Sequence, residues 1–257
     1  MPATVVAGNW KMNTTLDEAR ALAEGVRALA QGAPGVEVIL CPPAISLAAV
    51  RDAVSGSPVK VGAQNIYHED SGAFTGEIAP AMLGGICEYV IIGHSERRQL
   101  FGETDGQVNL KVKAAISHGL GPIVCVGETL EQRVAGQAAE VISGQVRAAL
   151  DGIDAVNISG LIVAYEPVWA IGTGQAATPE IAGEIMGGAI LDTLQSLYGS
   201  SSAEVPLLYG GSVNAGNIGD FAAQSCIHGA LVGGASLQAE SFMDIARMAG
   251  ETKRAGG

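Results

Sequence analysis

The sequence contains little charge and few aromatic side chains, and its charge is mainly of one sign. Of its 257 residues, 16% are charged and 4% are aromatic, and the formal net charge is −12. Proteins that bind nucleic acids attract the phosphate backbone with clustered lysine and arginine. The acidic balance therefore argues against a nucleic-acid partner, and it requires that any bound anion be attracted by local groups.

The chain also lacks the cysteine spacing of a metal site or of a small disulfide scaffold. Its four cysteines lie far apart, at Cys41, Cys87, Cys125 and Cys226. No set of histidine, cysteine or acidic residues has the short spacing typical of metal ligands. We therefore expect no metal, and we interpret the cysteines as reduced thiols of a cytoplasmic protein.

Membrane and export signals are missing as well. The first residues do not combine a basic segment with an apolar core, so no signal peptide is indicated. No uninterrupted apolar run is long enough to span a bilayer. We expect a soluble, cytoplasmic protein without a membrane partner.

What the chain does contain is a regular alternation of short apolar runs and amphipathic segments. Hydrophobic residues make up 48% of the chain, and 36 residues are glycine, which suits a large core with many tight turns. The apolar runs predict eight strands, beginning near residues 4, 36, 59, 89, 121, 161, 205 and 229. Apolar residues at helical spacing predict helices at 15–30, 105–118, 130–150, 178–198, 217–224 and 236–248.

Strands that alternate with helices pair in parallel through right-handed crossovers. Eight such units in a chain of this length predict an α/β protein, a single (β/α)8 barrel domain over residues 1–257. An open doubly wound sheet has the same alternation, but it carries a glycine fingerprint after its first strand. Here the first strand ends in the sequence GNWK at residues 8–11, which is not that fingerprint. No linker or change in composition indicates a second domain.

In such a barrel the residues that follow the strands share one rim, where active sites are built. Three chemically active residues follow predicted strands, namely Lys11, His94 and Glu166. Lys11 is the only cation among the strand-end residues, although a lone lysine is more often a solvated surface charge. We expect the three side chains to meet around a small anion.

Glu166 ends the apolar run 161–165 and is followed by Pro167 and an apolar, glycine-containing segment. A carboxylate in apolar surroundings loses hydration, so we expect a raised proton affinity suited to a general base. The segment after Pro167 could fold over a ligand and exclude water. Taken alone, a Glu-Pro pair is more often a surface residue at a strand end.

His94 precedes a run that reads as the first turn of a helix. The positive potential at a helix N-terminus disfavours an imidazolium, so we expect a neutral ring that donates a hydrogen bond. A hydrogen-bonded core histidine is an equally good interpretation from sequence alone. We assign no role to His68, His118 or His228.

Two glycine pairs, Gly210-Gly211 and Gly233-Gly234, follow the last two predicted strands. Backbone N–H groups without side-chain obstruction form anion-binding nests, and barrels often hold phosphate after strands seven and eight. Either pair alone could serve only to make a tight turn. Both pairs together predict a phosphate site.

Five segments resemble the triosephosphate isomerase family, and they follow the family's order from the first strand to the last helix. They are residues 9–13 (NWKMN), 93–98 (GHSERR), 165–174 (YEPVWAIGTG), 209–213 (YGGSV) and 231–237 (LVGGASL). The resemblance covers essentially the whole chain, and a collinear set of this kind is highly specific.

The resemblance implies an isomerase that interconverts dihydroxyacetone phosphate and D-glyceraldehyde 3-phosphate through an enediolate, without a cofactor. Glu166 would move the proton, His94 would polarise the carbonyl, and Lys11 would neutralise charge with Asn9 beside it. The substrate phosphate would be held by main-chain groups at Gly172, Ser212, Gly233 and Gly234. Segment 167–177 would close over the enediolate and keep water from promoting loss of phosphate.

The resemblance also implies a homodimer, because a loop like 64–77, with Thr75 at its tip, inserts into a second subunit in that family. This loop is long for a βα connection. Two departures occur: Gln175 stands where many members have lysine, and His228 stands where an acidic residue is more usual. Neither position is one of the proposed catalytic residues.

Two other functions compete with this interpretation. Another phosphate-binding barrel that acts on a longer sugar phosphate would account for the glycine pairs, but not for Lys11 or the lid segment. A catalytically silent barrel that only binds a metabolite or a protein would not need Lys11, His94 and Glu166 together.

Overall fold

Eight parallel strands form the centre of the molecule and close into a barrel in chain order. The computed structural model describes residues 2–170 and 177–256. Each strand begins within two residues of its predicted start, which confirms the (β/α)8 prediction. The strands are β1 Thr4–Asn9, β2 Val36–Cys41, β3 Lys60–Ala63, β4 Tyr89–Ile92, β5 Gly121–Val126, β6 Ile162–Tyr165, β7 Leu207–Tyr209 and β8 Gly229–Val232.

Helices lie between the strands and pack on the outside of the barrel. They are α1 Leu16–Leu29, α2 Leu47–Ala53, α3 Ser95–Phe101, α4 Asp105–Ser117, α5 Leu130–Val134, α6 Ala138–Leu150, α7 Pro179–Ile185, α8 Asp192–Tyr198, α9 Ile218–Ala223 and α10 Ala239–Gly256. A π-helical segment, Met186–Leu191, joins α7 to α8. Among the described residues, no helix has the length and hydrophobicity needed to cross a membrane.

Two helix predictions were wrong in their limits. The predicted helix 130–150 is divided into α5 and α6, because Gly136 has a φ of +73°, which a right-handed helix does not allow. The predicted helix 236–248 begins only at Ala239, after a 3₁₀ turn at Gly234–Leu237, and it continues to Gly256.

Several helices begin at the positions that their polar residues favour. Thr15, Thr104 and Thr129 each accept an N–H from the third residue of the following helix, and the side chain of that residue returns the bond. These capping boxes satisfy N–H groups that otherwise have no partner within the helix. They place each helix start just after a strand or loop, and so help to define the rim.

The core has two layers because alternate strand residues face inwards and outwards. Val5, Ile39, Ile91, Ile123 and Leu208 belong to the apolar cluster inside the barrel. A larger cluster lies between the strands and the helices. Because the barrel interior is filled with apolar side chains, polar chemistry is confined to the ends of the barrel. Trp10 is completely buried and packs in the outer layer.

Candidate active site

A cavity of about 540 Å³ opens at the carboxyl ends of the strands. It brings together seven of the eight residues that the sequence predicted for the site, which are Asn9, Lys11, His94, Glu166, Ser212, Gly233 and Gly234. The other residue, Gly172, lies outside the described residues, as does Gln175. Residues from five different strand ends therefore meet in one cavity.

Glu166 directly follows β6 and is only 2% exposed. Its N–H donates to the Val126 carbonyl at 2.8 Å, which extends the pairing of β5 with β6 by one residue. A Cβ atom built on Gly210 would lie 2.9 Å from Cγ of Glu166, so a residue with a side chain would crowd the carboxylate. The strand end and this glycine together direct a buried carboxylate into the cavity.

Both oxygens of the Glu166 carboxylate accept hydrogen bonds. The Ser95 N–H donates to Oε2 at 2.9 Å, and the Ser95 hydroxyl donates to Oε1 at 3.1 Å. Nε2 of His94 lies 2.9 Å from the same Oε1. Burial raises the pKa of Glu166, but His94 and Ser95 stabilise the carboxylate and lower the pKa below its usual value. The expectation of a raised proton affinity was therefore wrong for this arrangement, because it considered only burial.

His94 is the N-cap residue of α3, and its ring is almost fully buried. Nδ1 accepts the N–H of Glu96 at 3.2 Å, so the proton of the neutral ring lies on Nε2. Burial lowers the pKa of His94, but contact with Glu166 and the charge of Glu96 raise it overall. The expected effect of the helix N-terminus is thus outweighed while Glu166 remains in contact.

Lys11 enters the cavity from a strained turn after β1. Its φ is +52°, in the left-handed region that side chains disfavour. The Lys11 N–H donates to Oδ1 of Asn9 at 3.0 Å, and Nε2 of Gln64 donates to the Lys11 carbonyl at 2.8 Å. Nζ lies 2.5 Å from Oε1 of Glu96, so the ammonium is paired with a carboxylate. Strain held by neighbouring contacts is typical of functional sites.

The second glycine pair lies beside Lys11. A Cβ atom built on Gly233 would lie 3.6 Å from Cε of Lys11, so the end of that side chain is close to the backbone here. Gly233 leads into the 3₁₀ turn Gly234–Leu237, and its carbonyl accepts the N–H of Ser236 at 2.8 Å. The first N–H groups of such a turn have no partner within it, so they are suited to an anion.

Ser212 reaches the cavity from the loop after β7. It is exposed, and its carbonyl accepts Nδ2 of Asn217 at 3.1 Å, which holds the loop against the start of α9. Together with Gly233 and Gly234, it contributes main-chain groups to the cavity that also contains Lys11, Glu166 and His94. The main-chain groups near Lys11 can hold a small anion.

The start of the predicted lid segment is held by Glu128, a completely buried residue in the loop after β5. Its Oε1 accepts the Trp169 indole N–H at 2.8 Å and the Tyr165 hydroxyl at 3.1 Å, and Arg133 lies 3.3 Å away. Glu128 therefore joins the residue before the carboxylate to the first turn of the lid, Val168–Ala170.

Two residues that bind directly to the predicted groups received no role from the sequence. Ser95 donates its backbone N–H and its hydroxyl hydrogen to Glu166, and Glu96 pairs with Lys11. The available signal was their position, because both directly follow His94 where a helix begins at a strand end. Their partners could not be predicted from the sequence, because the two residues of each pair are 71 and 85 positions apart.

The remaining histidines do not contribute to this cavity. His228 lies before β8, where its Nδ1 accepts the Leu207 N–H at 3.1 Å. Burial and the charge of Lys253 lower the pKa of His228 to about 4. His68, within loop 64–77, and His118 line a separate hollow. Within residues 2–170 and 177–256, no cluster of histidine, cysteine or acidic residues could hold a metal ion.

Comparison with known proteins agrees with this geometry. A family model described as triosephosphate isomerase matches residues 4–249. A protein named triosephosphate isomerase from Chloroflexus aurantiacus is 53% identical over 247 residues, covering 95% of this chain and 98% of that protein. Proteins of the same name from Moorella thermoacetica (52% over 246 residues, 95% and 98% covered) and Dehalococcoides mccartyi (51% over 250 residues, 97% of each) are similarly close. The chain therefore belongs to the triosephosphate isomerase family.

Proposed function

We propose that this protein interconverts dihydroxyacetone phosphate and D-glyceraldehyde 3-phosphate, with Glu166 as the base, His94 as the carbonyl donor and Lys11 as the cation. One observation carries the proposal. A buried carboxylate lies within hydrogen-bond distance of a histidine Nε2, in the same cavity where a lysine lies beside a glycine pair. A proton acceptor, a hydrogen-bond donor and an anion site are what isomerisation of a phosphorylated hydroxy-carbonyl compound requires.

The proton transfer requires Glu166 to change partners. The single hydrogen on Nε2 of His94 cannot serve the carboxylate and a substrate carbonyl at once. When the carboxylate leaves His94 and Ser95 for the substrate carbon, it loses the hydrogen bonds that lower its pKa. Burial then favours the protonated acid, and Glu166 becomes a stronger base as it reaches the carbon.

The same movement affects His94. Without the carboxylate, the influences that favour a neutral ring are burial and Lys11, together with the Glu96 N–H on Nδ1. A neutral ring with its hydrogen on Nε2 can donate to the substrate carbonyl as charge develops there. Proton removal by Glu166 then yields an enediolate, and return of the proton to the adjacent carbon completes the isomerisation.

The phosphate group would be bound in the same cavity by other residues. We assign it to Lys11 and to main-chain groups at Ser212, Gly233 and Gly234, with Asn9 beside the lysine. Gly172 belongs to the same proposal through the family resemblance. Local attraction of this kind is needed because the chain carries a net charge of −12.

A coupled assay tests this function directly. Purified protein is supplied with D-glyceraldehyde 3-phosphate, and formation of dihydroxyacetone phosphate is followed. A longer sugar phosphate is supplied as an alternative substrate, and binding of D-glyceraldehyde 3-phosphate is measured separately from turnover. Turnover of the triose alone supports the proposal, whereas turnover of only the longer sugar, or binding without turnover, supports one of the two competing functions.

We also propose that the protein is a homodimer formed through loop 64–77. Residues 69–77 of this loop, including Thr75 at its tip, are all exposed. Phe74 packs on Tyr67 with ring centroids 4.4 Å apart, which stiffens the loop. Exposed apolar side chains such as Met12 (97%) and Phe101 (70%) line a neighbouring hollow of about 360 Å³ that also includes Lys11. Sedimentation at assay concentration tests this, and a fully active monomer would contradict it.

Two further proposals concern the whole chain. We infer that residues 1–257 form one domain, which predicts a single cooperative unfolding transition for the folded unit. We also infer a cytoplasmic location, since all four cysteines are free thiols and a reducing compartment would keep them so. Biphasic unfolding, or secretion of the natural protein, would contradict these inferences.

A further inference from the structure

Gln145, on α6, makes two hydrogen bonds to a single residue just beyond β5. Its Oε1 accepts the Gly127 N–H at 2.8 Å, and its Nε2 donates to the Gly127 carbonyl at 3.1 Å. The pairing of β5 with β6 ends one residue earlier, at the bond from the Glu166 N–H to the Val126 carbonyl. The side-chain amide therefore bonds to the backbone groups of Gly127, where the next backbone hydrogen bond between the strands would otherwise form.

Gly127 in turn lies directly against the backbone of Glu166. A Cβ atom built on Gly127 would be 1.8 Å from the Glu166 carbonyl oxygen and 2.8 Å from its carbonyl carbon. No side chain fits between two backbones at that separation. Any shift of Gly127 is consequently transmitted to the residue that carries the carboxylate.

Gln145 is not among the described residues that line the larger cavity with Lys11 and His94. It lines a separate small cavity of about 110 Å³ together with Glu166, Arg98 and Gln132. Because both hydrogen bonds of its amide go to Gly127, its connection to Glu166 runs through the Gly127 backbone.

We propose that Gln145 is a positioning residue for the base Glu166, acting by holding the Gly127 backbone with both ends of its amide. This inference rests on the isomerase function proposed above. Proton transfer between carbon and the carboxylate oxygen is sensitive to displacement of the base by roughly 1 Å, whereas phosphate binding by Lys11 and main-chain groups does not involve the base. Loss of Gln145 should thus affect turnover and leave binding unchanged.

The test compares Gln145→Met with Gln195→Met, an exposed glutamine on α8 that serves as the matched control. Methionine keeps the length of the side chain and removes both hydrogen bonds. We expect kcat to fall roughly ten- to a hundredfold, with KM and the inhibition constant of inorganic phosphate unchanged. The primary deuterium isotope effect on kcat should rise, because proton transfer becomes more nearly rate-limiting. The control should retain wild-type values.

Gln145→Glu supplies a second variant with a specific signature. Its carboxylate can still accept the Gly127 N–H but repels the Gly127 carbonyl, whereas the protonated carboxyl can donate to it. Activity relative to wild type should therefore recover as the pH is lowered, which simple loss of stability would not produce. This variant also keeps the proposal testable if Gln145→Met does not fold.

Wild-type kcat in Gln145→Met, equal losses of turnover and phosphate affinity, or no pH-dependent recovery in Gln145→Glu would overturn the positioning role. If the wild-type chain itself did not isomerise D-glyceraldehyde 3-phosphate, the proposed function and this inference would both be wrong. An active wild type with unaffected Gln145 variants would overturn this inference alone.

Discussion

At the scale of single residues, Glu166 experiences opposing influences on its charge. Burial favours the protonated acid, while the donors at Ser95 and His94 favour the carboxylate. These donors hold the side chain at the edge of the cavity and keep it ionised. The carboxylate regains basicity only when it leaves them, so its position and its proton affinity change together.

Glu166→Asp tests this dependence on position. The substitution withdraws the carboxylate by about one methylene, and a displacement of roughly 1 Å costs on the order of a hundredfold in turnover. We expect kcat to fall by at least that factor while KM changes little, as measured by initial rates in both directions. Similar losses in both parameters would contradict the role of Glu166 as the base.

Lys11→Met tests the cation at the phosphate side of the cavity. The substitution removes a charge-assisted contact worth about 1.5–3 kcal/mol, and it leaves the carboxylate of Glu96 unpaired near the anion. We expect inorganic phosphate to inhibit the variant at least tenfold more weakly than it inhibits the wild type. Lys113→Met, at an exposed position on α4, should show wild-type inhibition.

The double variant Lys11→Met/Glu96→Gln separates the two causes of that loss. Glutamine removes the unpaired negative charge, so phosphate inhibition should be partly restored relative to Lys11→Met. Equal inhibition of the single and double variants would mean that Glu96 exerts no repulsion, and that its pairing with Lys11 has no part in anion binding.

At the scale of elements, the turn after β5 supports both sides of the carboxylate. Gly127 contacts the backbone of Glu166, and Glu128 holds Tyr165 and Trp169 on either side of it. Glu128 is completely buried, and its loss removes the acceptor of both of these hydrogen bonds.

Glu128→Ala should therefore reduce the free energy of unfolding by about 3 kcal/mol. Glu128→Gln should cost less than half as much, because the amide oxygen can still accept the Trp169 indole N–H. Urea unfolding followed by tryptophan fluorescence measures both values. Equal destabilisation by the two variants would show that the negative charge, paired with Arg133, matters more than the acceptor.

The sequence predicted the elements well because strand periodicity and polar caps are local properties. All eight strand starts and the capped start of α1 follow from residues within a few positions of each other. The break at Gly136 could not be predicted with the same certainty, since glycine is tolerated within helices when its φ is negative. Here its left-handed φ divides the predicted helix in two.

The sequence predicted which residues form the site, but not how their charges are stabilised. Strand ends identify which residues share the rim, and so Lys11, His94 and Glu166 could be grouped before their distances were known. Their charges depend on partners distant in sequence, above all Ser95 for Glu166 and Glu96 for Lys11. Burial alone predicted the wrong direction for the pKa of Glu166.

At the scale of the whole molecule, a neutral histidine helps to join the last two strands of the barrel. The His228 N–H donates to the Leu207 carbonyl at 2.7 Å, and its ring accepts the Leu207 N–H. The ring therefore links the residue before β8 to β7. Protonation of Nδ1 would break its hydrogen bond with the Leu207 N–H. Burial, together with the nearby charge of Lys253, lowers the pKa of His228 to about 4 from its usual value of 6.5.

This lowered pKa predicts a pH-dependent loss of stability. Below pH 6.5 the unfolded chain binds a proton at His228 that the folded chain does not, until the pH approaches 4. Stability should thus fall as the pH falls through this window, by about 3 kcal/mol in total. His228→Asn, whose Oδ1 can replace Nδ1 as acceptor, should lessen the fall in chemical-denaturation measurements at pH 4 to 7.

If His228→Asn retained the wild-type slope of stability against pH, another group would be responsible for acid sensitivity. The pH range matters for the assay as well, because an unfolded fraction at low pH would imitate loss of catalytic activity.

The most direct test of the isomerase mechanism follows hydrogen during conversion of D-glyceraldehyde 3-phosphate in D₂O. A proton held by Glu166 can exchange with water before it returns to carbon, so deuterium should appear at C1 of the dihydroxyacetone phosphate formed. The deuterium content should be measured at early conversion by NMR. Complete retention of the original hydrogen, with no solvent deuterium in product at any pH, would contradict Glu166 as an exchanging base.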